Sequence, residues 1–204
     1  PEDAWVWTVS PQNAPDQPTY VTIDFVQGVP VALDGQQMGG VELVTRLNQI
    51  AGANGVGRVN MMENRLVGIK SRELYETPAA TVLLAAHRDL ESLTMDRETA
   101  HFKPMLELRW SELVYYGLWF TPLREAIDAF MAETQKLVSG QVTVKLYKGN
   151  CEAVARTSEN SLYDFSLASY GEADTFDQSK SKGFIDIWAL PAKVAAAVRR
   201  SQER

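Results

Sequence analysis

Apolar and polar positions change their period along the chain, and each period predicts an element. Tyr20-Val21-Thr22-Ile23-Asp24-Phe25 alternates every second residue, which predicts a strand with one buried face. Trp5-Val6-Trp7-Thr8-Val9 is rich in aromatic and β-branched residues and predicts a short strand ahead of it. Residues 10–18 hold three prolines and read as a loop. Residues 29–33 predict a second strand, with Pro30 favouring an edge and Asp34-Gly35 a tight turn. The period then lengthens. Val41, Val44, Leu47 and Ile50 recur at helical spacing, and Gly52 closes that helix.

Thr77-Pro78 has the form of a helix start, a side-chain cap followed by proline, and Leu83, Ala86, Leu90 and Leu93 continue it as an apolar stripe. Thr94-Met95-Asp96-Arg97-Glu98 reads as a junction between helices. Pro104 interrupts the next pattern, which resumes with Leu106, Trp110, Leu113 and Val114. The aromatic run Tyr115-Tyr116-Gly117-Leu118-Trp119-Phe120 is expected to pack into the core rather than form a binding shelf. Thr121-Pro122 repeats the helix start, and Leu123, Ile127, Phe130 and Leu137 carry that helix to Gly140. Val142, Val144 and Leu146 alternate, Lys148-Gly149-Asn150 turns the chain, and residues 151–156 return as a hairpin. Residues 158–164 are turn-like, and residues 174–182 form a charged loop. Phe184-Ile185-Asp186-Ile187-Trp188 predicts a further strand, and residues 191–204 a helical tail. Strands before and after a helical middle section define an α+β class with a mixed or antiparallel sheet. The tail helix is short and has a small apolar face, so it needs either the body of this chain or a neighbouring subunit to pack against.

Composition narrows the function. The chain has 204 residues, 45% of them hydrophobic and 23% charged, enough for one large domain or two small ones with a real core. A net charge of -6 argues against a nucleic-acid surface, which relies on clustered Lys and Arg. No apolar run approaches the length of a membrane span. Cys151 is the single cysteine, which excludes an internal disulfide and fits a reducing compartment. The chain opens on Pro1 rather than Met, and the expectation is a piece of a longer polypeptide.

Candidate chemistry gathers in residues 62–78. Glu63, Glu73 and Glu76 stand there against Arg65, Lys70 and Arg72, around an apolar run, Leu66-Val67-Gly68-Ile69, that is expected to be partly buried. Charges near a core must be paired or meet a ligand. Two readings follow: an internal salt-bridge network, the commoner outcome for such a set, or a site for a zwitterion such as an amino acid. The glycines of residues 52–57 do not form a phosphate loop, because a helix ends there and no Gly-Lys-Ser or Gly-Lys-Thr follows. They read as a helix C-cap and connector. His87 and His101 have no carboxylate or cysteine cluster at metal-ligand spacing, and no Gly-x-Ser-x-Gly, His-Glu-x-x-His or Cys-x-x-Cys motif occurs. Residues alone therefore stop at an α+β domain that binds an amino acid or is stapled by ion pairs.

Six ordered motifs go further: Met62-Glu63-Asn64-Arg65, Gly68-Ile69-Lys70-Ser71-Arg72, Tyr75-Glu76-Thr77-Pro78, Thr94-Met95-Asp96-Arg97-Glu98, Leu146-Tyr147-Lys148-Gly149-Asn150 and Ser161-Leu162-Tyr163-Asp164. Together with the opening Pro1-Glu2-Asp3-Ala4-Trp5, they resemble the argininosuccinate synthase family over nearly the whole chain. The resemblance implies a carbon–nitrogen ligase of arginine biosynthesis that joins citrulline to aspartate with ATP and Mg, releasing AMP and pyrophosphate. It implies a cytoplasmic homotetramer, with ATP bound mainly by an N-terminal domain that lies outside this chain. It divides the chain into a synthetase part, 1–190, incomplete at its N-terminus, and a protruding C-terminal oligomerisation helix, 191–204. Glu63 and Tyr75 match the family's citrulline-binding residues, and Arg65, Lys70, Ser71 and Arg72 are supporting residues of the same motifs. No residue is implied as catalytic, and no metal ligand, nucleic acid or membrane is implied. The family usually has glycine where this chain has Glu73 and Ala79-Ala80. A non-catalytic amino-acid-binding or oligomerisation module is the alternative.

Overall fold

The computed structural model describes residues 2–168 and 176–202. The chain divides into two compact units, Pro1–Leu162 and Tyr163–Arg204.

The first unit is built on a five-stranded antiparallel sheet. Its strands are β1 (Thr19–Val26), β2 (Val29–Leu33), β3 (Gln36–Gln37), β6 (Gly140–Tyr147) and β7 (Asn150–Thr157), in the order β3-β2-β1-β6-β7. Strict alternation on β1 and β6 puts Val21, Ile23, Phe25, Val142, Val144 and Leu146 on one face, with Val21 opposite Val144 and Ile23 opposite Val142. Three hairpins turn on a residue followed by glycine, Gln27-Gly28, Asp34-Gly35 and Lys148-Gly149, each with both φ angles positive. That geometry matches the twist of the strands it joins.

Two helices cover the apolar face: α1 (Gly40–Ala53) and α2 (Pro78–Thr94). Leu43, Leu47 and Ala51 of α1 and Val82, Ala86 and Leu90 of α2 meet the sheet in one buried cluster. Each fully buried Leu or Val there contributes about 1.5–3 kcal/mol. Pro78 and Pro122 open their helices as expected, but neither preceding threonine caps with its side chain. Thr121 Oγ1 instead donates to the Leu118 carbonyl at 2.8 Å.

The helical middle continues with α3 (Arg97–Tyr115) and α4 (Pro122–Gln135). Asp96 caps α3, accepting from the amides of Glu98 and Thr99 at 3.1 Å each. Pro104 does not interrupt α3, which runs through it. Proline removes one backbone donor, and the neighbouring turns carry the helix across. The nearly buried Lys103 reaches from α3 to Glu91 of α2 at 3.0 Å and also pairs with Glu107. Trp110 Nε1 donates to Asp128 of α4 at 2.7 Å.

A separate antiparallel ribbon, β4 (Arg58–Asn64) and β5 (Lys70–Glu76), leaves this body between α1 and α2. Gly57, at φ 98°, starts it; a Cβ there would lie 2.5 Å from the Pro78 backbone. Residues 52–57 form the helix end and connector expected of them.

Residues 5–9 are not the expected strand; a short 3-10 helix (Glu2–Ala4) leads into an irregular segment. Three of its backbone donors go to one side chain instead of a neighbouring strand, and the Val9 amide donates to the Gly52 carbonyl at 3.0 Å. Glu76 accepts from the amides of Val6 at 2.7 Å, Trp7 at 2.9 Å and Thr8 at 2.8 Å.

The second unit holds α5 (Phe165–Ala168), α6 (Lys180–Trp188) and α7 (Leu190–Gln202). Residues 184–188, expected as a strand, lie in α6, where Phe184 and Trp188 stack at 5.5 Å one turn apart. The tail is helical as expected, with Val194 and Val198 more than half exposed. Residues 174–175 of the expected charged loop, and residues 203–204 of the tail, lie outside the described residues.

Candidate substrate-binding site

The register of the ribbon sorts the candidate residues. Glu63 pairs with Ser71, Met61 with Glu73 and Val59 with Tyr75, so these side chains share one face. Lys70 and Arg72 fall on the opposite face. Lys70 Nζ donates to Asn64 at 2.7 Å, and Arg72 Nε donates to Asn60 at 3.1 Å. The structure therefore brings Glu63, Arg65, Ser71 and Tyr75 together and leaves Lys70 and Arg72 behind them.

On the shared face, Arg65 spans two partners on β5. Its Nε donates to Ser71 Oγ at 3.0 Å, and its terminal nitrogen lies 2.6 Å from Glu73. The hydrogen bonds from Ser71 and Arg65 hold the Glu73 carboxyl below the usual carboxylate range. Glu73 also raises the Arg65 pKa above its ordinary value. Of the salt-bridge network read from the sequence, one ion pair forms among the described residues, Arg65 with Glu73.

Glu63 is held differently. Tyr75 donates its hydroxyl proton to one carboxylate oxygen, and Tyr115 donates to the other at 2.7 Å. These hydrogen bonds, Tyr75 first, lower the Glu63 pKa; Arg65 adds a smaller electrostatic effect. The reciprocal effect pushes the Tyr75 phenol up to about 12 and raises Tyr115 as well. Glu63 is therefore ionised at neutral pH, half-buried, and accepts only from neutral phenols. Among the described residues no Lys or Arg stands within ion-pair distance of it. A carboxylate in that state can accept charge-assisted hydrogen bonds from a cationic donor.

One residue beside this face, Tyr115, was not among the candidates of the sequence. Tyr115 belonged to the aromatic run expected in the core, yet it is 53% exposed and closes α3 beside Glu63. The signal was the polar tip of tyrosine, which asks for a partner that phenylalanine does not. Tyr116, Trp119 and Phe120 of the same run are also exposed, against expectation. Glu73 was visible as a charge but not as the partner of Arg65. Leu66, Val67 and Ile69 form the exposed tip of the ribbon, where partial burial was expected. Short ribbons carry both faces into solvent unless another element covers them.

The α+β domain thus carries a self-paired ribbon, one face of which presents a carboxylate held by two phenols. Comparison with known proteins places it further. The family described as arginosuccinate synthase C-terminal domain matches residues 1–195. The chain belongs to that family. It is 56% identical to the argininosuccinate synthase of Streptococcus gordonii over 204 residues, all of this chain and 51% of that protein. It is 56% identical to that of Symbiobacterium thermophilum over 202 residues, 99% of this chain and 50% of the relative. It is 52% identical to that of Endomicrobium trichonymphae over 201 residues, 98% of this chain and 49% of the relative. The chain spans about half the length of the curated relatives it matches.

Proposed function

We propose that this chain is the C-terminal part of an argininosuccinate synthase, the ligase that joins citrulline to aspartate with cleavage of ATP to AMP and pyrophosphate. In this reading the ureido oxygen of citrulline attacks the α-phosphate of ATP, and the aspartate amine then displaces AMP. This chain supplies citrulline-binding residues and subunit contacts. Glu63 takes the α-ammonium of citrulline, and Tyr75 orients that carboxylate. Ser71 and Arg65 support the same face, while Lys70 and Arg72 support the ribbon from behind. ATP, and the Mg that accompanies it, are assigned to an N-terminal domain. Among the described residues no group of three or more His, Cys, Asp or Glu could hold a metal ion.

The observation that carries this reading is the ionised Glu63 carboxylate, held by two phenols and lacking a cationic partner among the described residues. Membership of the family supports reading the cation as the citrulline ammonium. The proposal extends to a homotetramer joined through residues 191–204, with residues 1–190 as synthetase domain, working in the cytoplasm. No described helix is long and apolar enough to cross a membrane.

Calorimetric titration of citrulline into the full-length protein tests the site. Glu63→Ala should weaken binding by about ten- to a hundredfold, the loss of a charge-assisted hydrogen bond, with the fold intact. Equal affinity in the variant would remove citrulline from Glu63.

A further inference from the structure

Among the described residues the β4–β5 ribbon pairs only with itself, and a two-stranded ribbon is marginal without support. Its base is well fixed. Thr77 donates its amide to Gly57 at 2.8 Å, Glu76 holds the amides of residues 6–8, and Arg58 donates to the Thr8 carbonyl at 2.6 Å. Glu63 lies five residues beyond Arg58, roughly 16 Å further out at the rise of a strand. Beyond it the tip is exposed. A carboxylate on such an arm would wander unless something outside the arm fixed it.

Tyr75 cannot do this, because it rides on β5 of the same ribbon. Arg65, Ser71 and Glu73 are also internal to it. Tyr115 comes from elsewhere. It closes α3, and α3 is bound to the core through Lys103, which reaches Glu91 of α2 at 3.0 Å. Among the described residues, the 2.7 Å bond from Tyr115 to Glu63 is the hydrogen bond that ties the ribbon beyond its base to another element.

We propose that Tyr115 is a positioning residue that fixes the Glu63 carboxylate, and with it the ammonium site for citrulline, against the body of the domain. This rests on the reading of Glu63 as the ammonium receptor. Tyr115 does not touch the reacting ureido group in this scheme. It acts through Glu63, so its effect falls on citrulline binding and not on the chemical step.

The groups that act on Glu63 are Tyr75 and Tyr115 directly, with Arg65 behind them. Removing the Tyr115 hydroxyl takes away one of the two donors that favour the carboxylate. Its pKa then rises, and the acid limb of citrulline binding moves to higher pH. A loss of packing alone would not move that limb.

The test uses the full-length protein with Tyr115→Phe, which keeps the ring, and with Tyr116→Phe as the neighbouring control. Tyr115→Phe should raise the citrulline KM by about five- to tenfold, leave kcat within about twofold and shift the acid limb upward. Tyr116→Phe should change none of the three. Citrulline affinity followed against pH by calorimetry gives the same limb without turnover. An unchanged KM and acid limb in Tyr115→Phe, or equal effects in Tyr116→Phe, would overturn the positioning role. Glu63→Gln, measured beside them, separates the two claims. If it leaves citrulline binding intact, the ammonium reading itself has failed; if it weakens binding while Tyr115→Phe does not, only the positioning role has failed.

Discussion

Arg65 places its guanidinium 2.6 Å from Glu73 and leaves Glu63 to phenol donors alone. Glu73, at a position where the family resemblance implies glycine, is a carboxylate that engages Arg65. Glu73→Gln removes that hold and frees Arg65 to reach Glu63. Citrulline affinity should then fall by about five- to tenfold, because guanidinium and substrate ammonium compete for one anion. Adding Arg65→Met in the same background should restore it. Calorimetry on the two variants checks both arms; an affinity unmoved by Glu73→Gln would show that Arg65 cannot reach.

The Glu76 carboxylate takes the place of a neighbouring strand for residues 6–8. Burial is the largest single influence on it and opposes ionisation. The hydrogen bonds from the Thr8 side chain and from the amides of Val6, Trp7 and Thr8 together outweigh burial and hold the pKa below the ordinary value. A depressed carboxyl contributes stability above its unfolded pKa, about 4, and loses it as pH falls through the lower folded value. The N-terminal segment should therefore stay docked down to acid pH and release below about pH 4. Glu76→Gln should release it at neutral pH. Hydrogen exchange at the amides of Trp7 and Thr8 measures this, and protection that survives in Glu76→Gln would mean that other contacts hold the segment.

Lys103 is 5% exposed and lies between Glu91 and Glu107. Lys103→Met leaves these carboxylates near each other without their cation. It should cost about 3–5 kcal/mol in denaturant unfolding. The double variant Lys103→Met, Glu91→Leu should recover a large part of that loss. A single variant as stable as the parent would show that water screens the pair.

The α7 helix carries Leu190, Val194 and Val198 in exposed positions, with Lys193, Arg199 and Arg200 beside them. Deleting residues 191–204 should reduce the mass of the assembly in light scattering. An unchanged mass would place the subunit contacts elsewhere.

The main sheet was legible because β1 and β6 each bury one clean face, and a period of two reports that burial directly. The helices were legible as elements, but the buried face of α1 was not: Leu43, Leu47 and Ala51 pack inward, while Val41 and Val44 of the expected stripe are exposed, because apolar residues stand on both sides of that helix and spacing alone does not choose between them. Residues 5–9 misled because β-composition records a fit to a pleated surface, whereas the amides of residues 6–8 are satisfied by Glu76, 68 to 70 residues away, and that of Val9 by the Gly52 carbonyl. Residues 184–188 misled because aromatic and branched content outweighed spacing. Phe184, Ile185, Ile187 and Trp188 sit at helical intervals, and α6 is what they form. Glu63 stood out in the sequence through the balanced charges of residues 62–78, and Tyr75 only through the family motif. Their meeting depends on strand register, and Tyr115 meets Glu63 across 52 residues of chain, a pairing that no local pattern encodes.

The ribbon also sets a rule for how this site can change length. Glu63, Ser71, Glu73 and Tyr75 look the same way only because strand residues alternate and the ladder from Arg58 to Asn64 is unbroken. Adding or deleting one residue between Gly57 and Glu63 would turn the carboxylate to the side of Lys70 and Arg72, out of reach of Tyr115. Within β4, change by twos preserves the facing that change by one destroys. Lineages of this domain should therefore show gaps at the tip, residues 65–69, and none of odd length along the arm.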